Sequence, residues 1–398
     1  MKDRKKIIII YPYRFREFDT QRFEIECLKN HCDVVVHELI EILHSQFKVA
    51  YHNYDKSTFI QRFSSLLEWR AAYLEAVKSC DTKPYIINFV STSTIKELFV
   101  NYILSSSDVF LIKFQNPGYP GYQGIDSIFS RIKTKYKFII KRATFKSLRF
   151  SFFSIFCRYL GFLFCRKNDY TLGVNIQTNK IKNRKININS FDFSMFIGNN
   201  NNKLINSNNN FIVYLDTGAP LFKTDAFLYG NKHPLSIDAW YPKLTDFFDI
   251  IEKKTSKTVV IAAHPKHQYS SDMEHYFGNR RIFHSKTEEL IAESELVLVT
   301  NSTAVSYAVM HSKPVIVLVS DELLRDNNVL IKDAKNLSEI LDSAIVNIND
   351  IDENLLTNFT VNKIKYLDYK SKYLSSRLDD KTNCEIIIDE VIYDKKFS

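Results

Sequence analysis

Two α/β domains, each a parallel sheet covered by helices, are the architecture the sequence predicts, and three observations lead there. The chain has 398 residues, more than one hydrophobic core ordinarily serves. Short β-rich runs alternate with longer segments of helical spacing in both halves, the pattern of parallel strands joined by crossover helices. An asparagine-rich stretch, "GNNNNKLINSNNN" from Gly198 to Asn210, separates the halves with residues that favour turns and build no core. The expected division is a first domain over 1–198, a linker over 199–210, a second domain over 211–370 and a final helix over 371–398 returning to the first.

Composition supports a folded chain. Apolar residues make up 45% and aromatic ones 14%, enough to fill two cores and incompatible with a mainly disordered protein. The formal charge of +9 favours anionic partners such as nucleotide phosphates, anionic lipid or nucleic acid. Six cysteines show no CxxC pair and no histidine at zinc-ligand spacing, so they are expected to be reduced thiols in a cytoplasmic protein, with no metal site.

The elements follow in order. "KKIIIIYPY" at the amino terminus has too short an apolar run for a signal peptide and suits a first strand. "CDVVVHEL", "KPYIINFV" and "SDVFLIKF" continue the first sheet, and "FIVYLD", "TVVIAAHP", "LVLVTNS" and "KPVIVLVS" form the second. "YPKLTDFFDIIEKKTS" has helical spacing between two of them, and "YLDYKSKYLSSRLDDKTNCEIIIDEVIYDK" reads as a terminal helix.

Between Ser127 and Asn168 there is no aspartate or glutamate, while lysine, arginine and aromatic residues crowd together. Arg158 interrupts the most apolar part, "FSFFSIFCRYLGFLFC", which excludes an easy membrane span. The expectation is an interfacial helix pair held on an anionic membrane surface. A helical insertion packed on the first domain is the plain alternative. Nucleic acid is not expected, because no helix-turn-helix, zinc-finger or RNA-binding signature accompanies the charge.

Three strands of the second half end on polar residues of complementary kinds. "FIVYLDTGAP" ends on Asp216, "VVIAAHPKHQ" on His264 with Pro265 and Lys266, and "LVLVTNSTAVSYAV" on Asn301, Ser302 and Thr303. In an open parallel sheet such ends converge on the ligand crevice. Ser302 and Thr303 at a helix start suit a phosphate, and the imidazole of His264 suits donation to it, since histidine as a residue type ionises near neutrality. Pro265 stops the strand, and Asp216 before a glycine turn suits a base at the crevice mouth. Each has a plain counterpart: an N-cap, a structural histidine, a turn aspartate. GxGxxG after the first strand, GxxxxGK[ST], GxSxG and HExxH are all missing, which counts against dinucleotide oxidoreductases, P-loop kinases, serine hydrolases and zinc proteases.

An aspartate turn, "HP" after a strand, a Ser/Thr pair before a helix and "KPVIV" as the next strand resemble bacterial GT-B glycosyltransferases of the sialyltransferase and Kdo-transferase type. "YPKLTDFFDIIEKKTSKTVVIAAHPKHQ" and "VTNSTAVSYAVMHSKPVIVL" are also similar to surface-polysaccharide glycosyltransferases of O-antigen and capsule clusters. The resemblance spans Phe211 to Leu323. It implies two Rossmann-like domains facing across a cleft, a nucleotide-sugar donor on the second domain and a glycan acceptor on the first. It also implies inversion without a metal or other cofactor and, by motif, a CMP-linked sialic acid, related nonulosonic acid or Kdo as donor.

The resemblance places the base on Asp216, the phosphate histidine on His264 and the phosphate hydroxyls on Ser302 and Thr303, with Pro265, Lys266 and Asn301 beside the donor. Two departures bear on this. Thr217 stands where the sialyltransferase motif has a second acid, so a base in the first domain stays open; and "NSTAVSYAV" lacks the glycine turn of many GT-B enzymes. Loops after the first-half strands supply Tyr11, Arg14, Tyr119 and Tyr122 as acceptor-side residues. The basic aromatic segment would hold the enzyme at the inner face of a bacterial cytoplasmic membrane, where acceptors are lipid-linked. A UDP- or GDP-sugar transferase, a nucleotide-sugar epimerase and a non-catalytic glycan- or lipid-binding protein of the same fold are the alternatives.

Overall fold

The structure is a computed structural model and describes residues 4–45, 55–115, 145–176, 184–200, 210–222, 235–265, 267, 269–325, 329–357 and 359–393, with the side chains of 145–151, 200 and 329 excepted. Two compact units result. The described residues of Met1–Pro117, Phe145–Asn201 and Ser375–Ser398 form one, and those of Asn202–Leu374 the other.

The first unit contains β1 (Lys6–Tyr11), β2 (Asp33–Glu38), β3 (Ile60–Arg62), β4 (Tyr85–Asn88), β5 (Phe110–Gln115), β6 (Tyr170–Gly173) and β7 (Arg184–Asn187). They lie in the order β3-β2-β1-β4-β5-β6-β7, every pairing parallel. A strand in a parallel sheet covered on both faces has no solvent side. That is why "IIII" of β1 runs unbroken and is buried throughout. Helices Leu66–Lys78 and Ile95–Ser106 begin on Ser65 and Thr94, whose hydroxyls accept from the amides of Glu68 and Glu97.

The second unit contains β8 (Phe211–Leu215), β9 (Thr258–Ala262), β10 (Ile282–Phe283), β11 (Leu296–Val299), β12 (Val315–Val319) and β13 (Ala344–Asn347), in the order β10-β9-β8-β11-β12-β13. These pairings are parallel as well. The helix Ile237–Thr255 turns Trp240, Tyr241, Leu244, Phe247, Phe248 and Ile251 into the core, the spacing of one helical face. The strand order reverses between β8 and β11, the switch point at which parallel sheets open a crevice.

Two expected boundaries change. The terminal stretch is not one helix. Lys363–Tyr369 and the turn Lys370–Leu374 belong to the second unit, and a new helix begins at Asn383, where Thr382 and Glu385 form a capping box. The intervening Arg377 is tied to Asp379, Glu390 and the Asn187 carbonyl. The helix Phe191–Asn200 extends two residues past the expected boundary at 198. Of the basic segment, the helix Phe145–Phe164 is described and belongs to the first unit, while 127–144 lies outside the described residues.

The cysteine expectation is corrected too. Cys27 and Cys384 are bonded, while Cys32, Cys80, Cys157 and Cys165 are free. No spacing rule joins residues 357 positions apart; only the return of the terminal helix to Ile25–His31 does. The backbone amide of Cys384 donates to Glu24 at 2.8 Å, and Asn383 and Asn189 exchange hydrogen bonds.

The terminal helix completes the first core with Ile386, Ile387, Ile388, Val391 and Ile392. Ile386→Ala should therefore cost about 2–5 kcal/mol in denaturant unfolding, whereas the fully exposed Leu378 should tolerate alanine within about 0.5 kcal/mol. Alkylation of the unreduced, denatured chain should label four thiols and, after reduction, six; six labels before reduction would contradict the Cys27–Cys384 bond.

Candidate functional site

In the second unit, β9, β8 and β11 are neighbours in register. Leu215 stands opposite Ala262 on one side and Val299 on the other. The next residues out are therefore Asp216, Ala263 and Thr300, followed by the loops that carry His264 and Asn301–Thr303. Asp216 N donates to the Ala262 carbonyl at 3.1 Å, which extends the ladder one step into the loops.

Asp216 does not stand at a crevice mouth. It is 2% exposed, and the Tyr269 hydroxyl donates to its Oδ2. Burial pushes the Asp216 carboxyl up to about 6, partly offset by that hydroxyl and by the amides of Gly218 and Thr217. Burial and the neighbouring Asp216 charge push the Tyr269 hydroxyl up, so it keeps its proton and donates. Asp216 Oδ1 has no hydrogen-bond partner among the described residues. The buried hydroxyls of Tyr214 and Tyr241 are raised by burial and then by the Asp216 charge. A carboxylate held so deep is costly to keep ionised.

Above this pair two loops interlock. Gly218 has φ +77°, and a Cβ there would run into the His267 ring; glycine is required by conformation and by space. His267 stacks on Phe222 with ring centroids 4.5 Å apart and 4° between planes. Phe222 meets Tyr269 edge-on at 4.7 Å, and His264 lies 5.1 Å from His267. The His267 amide donates to the His264 carbonyl at 3.1 Å, closing a tight turn. His264 is half-buried and Pro265 exposed. Two imidazoles, one aspartate and one tyrosine are thus assembled from the loops after β8 and β9.

The third loop differs from expectation. Its helix is Val305–Met310, beginning after Ser302 and Thr303. Ser302 Oγ accepts from the Ala304 amide at 3.3 Å, and the carbonyls of Ser302 and Thr303 accept from Val305 and Ser306 at 3.2 and 3.1 Å. Ser302 folds back as a turn former, and a six-residue helix offers little dipole. Asn301 and Ser302 are half-buried, and Thr303 is exposed.

On the first unit, Arg14 is buried, and its Nη1 reaches Glu38 Oε1 at 2.7 Å. Glu38 also accepts from the Phe15 amide at 2.8 Å and faces Arg62 at 3.3 Å. This expected acceptor residue is instead part of a buried ion-pair cluster that fixes the loop after β1. Tyr11 packs edge-on against Tyr13, Phe15, Phe23 and Phe89, a core role. Lys266, Tyr119 and Tyr122 lie outside the described residues. Among the described residues no group of three His, Cys, Asp or Glu is placed to hold a metal ion.

Sequence reasoning missed Phe222, His267 and Tyr269 as site residues, and the pair His44–Glu97, 3.5 Å apart near the strand ends of the first sheet. Glu97 had a signal, since Thr94 and Glu97 stand at capping-box spacing. The others are joined only by tertiary packing.

No protein-family model matches the chain, and no curated protein sequence matches it. Solved structures do. The glycosyltransferase of kitacinnamycin superposes with a TM-score of 0.50 at 9% identity over 94% of this chain and 95% of that one. The calicheamicin glycosyltransferase CalG4 gives 0.49 at 9% identity over 94% of each. The UDP-GlcNAc 2-epimerase of Methanocaldococcus jannaschii gives 0.47 at 11% identity over 96% and 98%. The chain therefore has the fold of the GT-B class, two α/β domains each built on a parallel sheet, and the likeness concerns the fold alone.

The buried carboxylate has a consequence for stability. Its pKa is raised on folding, so the folded state holds the extra proton between pH 4 and 6; the stabilisation is present at low pH and lost as pH rises through 6. Asp216→Asn removes the charge, and the variant should exceed the wild type by up to about 3 kcal/mol at pH 7.5, with the gap closing below pH 4. Denaturant unfolding at the two pH values measures this, and a variant less stable at both would show that the ionised carboxylate is well compensated.

Proposed function

We propose that the protein is a metal-independent glycosyltransferase whose second unit binds a nucleotide-sugar donor at the carboxyl ends of β8, β9 and β11. The observation that carries this reading is the convergence of the Asp216, His264–His267 and Asn301–Thr303 loops at the switch point of a parallel sheet with the GT-B fold. In this proposal His264 donates to the donor phosphate, with the Ser302 and Thr303 hydroxyls as further donors and Pro265, Lys266 and Asn301 beside them. Negative charge develops on the departing phosphate, and donors already in place there lower the barrier without reorganisation. The acceptor oxygen bonds to the anomeric carbon as the bond to the donor phosphate oxygen breaks, in one inverting displacement; the phosphate leaves towards His264 and the hydroxyl proton passes to a general base, which is Asp216 in the second reading below. The donor motif favours a CMP-linked sialic acid, nonulosonic acid or Kdo, and the acceptor is a glycan of surface-polysaccharide synthesis.

Asp216 acts, in this proposal, as a positioning residue: through Tyr269 and the Gly218 turn it holds the His264–His267 loop. A second reading makes it the base, favoured by a carboxyl pushed up to about 6 and by its unpartnered Oδ1; this requires the Tyr269 contact to open. Kinetics of Asp216→Asn separate the two. Weakened nucleotide binding with residual turnover marks positioning, and unchanged binding with turnover lowered about 100-fold or more marks the base.

A thermal-shift panel tests the donor. Stabilisation by CMP above UDP and GDP, lost in His264→Ala, is the expected result, about 2.7 kcal/mol at a hundredfold excess over Kd. Preference for UDP or GDP would move the donor and keep the reaction. Conversion of free nucleotide sugar without acceptor would make the protein an epimerase, and no nucleotide response at all would make it a non-catalytic binding protein.

A further inference from the structure

A helix on the surface of a water-soluble domain buries its large apolar side chains and turns small or polar ones outward. Over residues 152–164 the helix Phe145–Phe164 does the reverse. Its inward stripe is Ser154, Cys157 and Gly161, small residues at a spacing of three and four. An added Cβ on Gly161 would lie 3.2 Å from Thr92 and 3.5 Å from Leu98, so the helix is pressed by its small side against the helix Ile95–Ser106. Outward stand Phe152 at 71%, Ile155 at 64%, Phe156 at 56%, Tyr159 at 60% and Phe162 at 77% exposure. Ile95 and Tyr102 of the supporting helix are exposed as well.

Such a patch exceeds the scattered apolar residues of an ordinary surface and marks a binding face. Its charge selects the occupant. Arg158 and Lys167 are exposed on or beside the helix, and the sequence from Ser127 to Asn168 holds eleven Lys and Arg and no Asp or Glu. A second copy docking through this face would set like charges against each other. Nucleic acid would answer the charge and leave Ile155 and Leu163 in water. Rings and aliphatic chains with exposed cations beside them fit the headgroup region of an anionic bilayer. No described helix is long and apolar enough to cross a membrane.

The geometry points to the outward face of 152–164, extended by Ile95 and Tyr102, as a docking surface by which the first unit lies on an anionic lipid bilayer. The surface stands independently of the transfer reaction; only its use in presenting a lipid-linked acceptor, at the inner face of a cytoplasmic membrane, rests on that reading.

Co-sedimentation of the full chain with vesicles, without nucleotide or acceptor, tests it. The wild type should partition about tenfold or more better into phosphatidylcholine vesicles containing phosphatidylglycerol than into pure phosphatidylcholine, and added salt should weaken this. The triple variant Phe152→Ser, Phe156→Ser, Phe162→Ser should keep its unfolding temperature, since the three side chains are exposed, and lose about tenfold or more of the binding. Phe162→Trp in the wild-type background should shift its emission to the blue on the anionic vesicles. Wild type left in the supernatant, a triple variant that sediments equally, or no shift from Phe162→Trp would overturn the proposal. So would a dimer in vesicle-free solution that the triple variant abolishes. None of these outcomes touches nucleotide binding, so a failure here is distinct from failure of the transferase reading.

Discussion

The hydrogen bond from Tyr269 to the buried Asp216 is the contact on which the arrangement of the second unit's loops depends. It joins the residue just after β8 to the far side of the turn that follows β9, and Phe222 meets Tyr269 edge-on while stacking on His267. Removing a carboxylate from water is expensive, and here the Tyr269 hydroxyl and the Gly218 and Thr217 amides offset burial only in part. A fold that served stability alone would place an apolar residue there. Perturbed, incompletely satisfied carboxylates at strand ends gather at functional sites for this reason, and Asp216 fits that pattern better as a group that shapes the site than as one that faces solvent.

Parallel topology explains why three distant segments meet. Strands β9, β8 and β11 point the same way, so residues that follow them emerge side by side although they are separated by dozens of positions. The reversal of strand order between β8 and β11 sends the connecting helices to opposite faces and leaves room between the two loops. On the other side of β8, Gly218 matters where the loop after β8 meets the loop after β9, because any side chain there would occupy the space of the His267 ring.

Much of this was legible in the sequence. Continuous apolar runs such as "IIII" and "LVLV" identify strands buried on both faces, and the polar residues that end them identify the loops. What sequence could not show depends on tertiary packing. Asp216 looks like an exposed turn residue until Tyr269 covers it, and Arg14 looks like a loop cation until Glu38 binds it. Ser302 looks like a helix start until its hydroxyl turns to the Ala304 amide. The short strands β3, β6, β7, β10 and β13 have two to four residues each, too few for periodicity to register. The Cys27–Cys384 bond depends on a helix boundary at Thr382 that a single long helix would have erased.

The most direct test of the central claim is a crystal structure of the protein with a bound nucleoside mono- or diphosphate. A phosphate within hydrogen-bond distance of the His264 ring and of a Ser302 or Thr303 hydroxyl, with Asp216 still joined to Tyr269, is the expected result. A nucleotide seated elsewhere, with the loops after β8, β9 and β11 untouched, would contradict it.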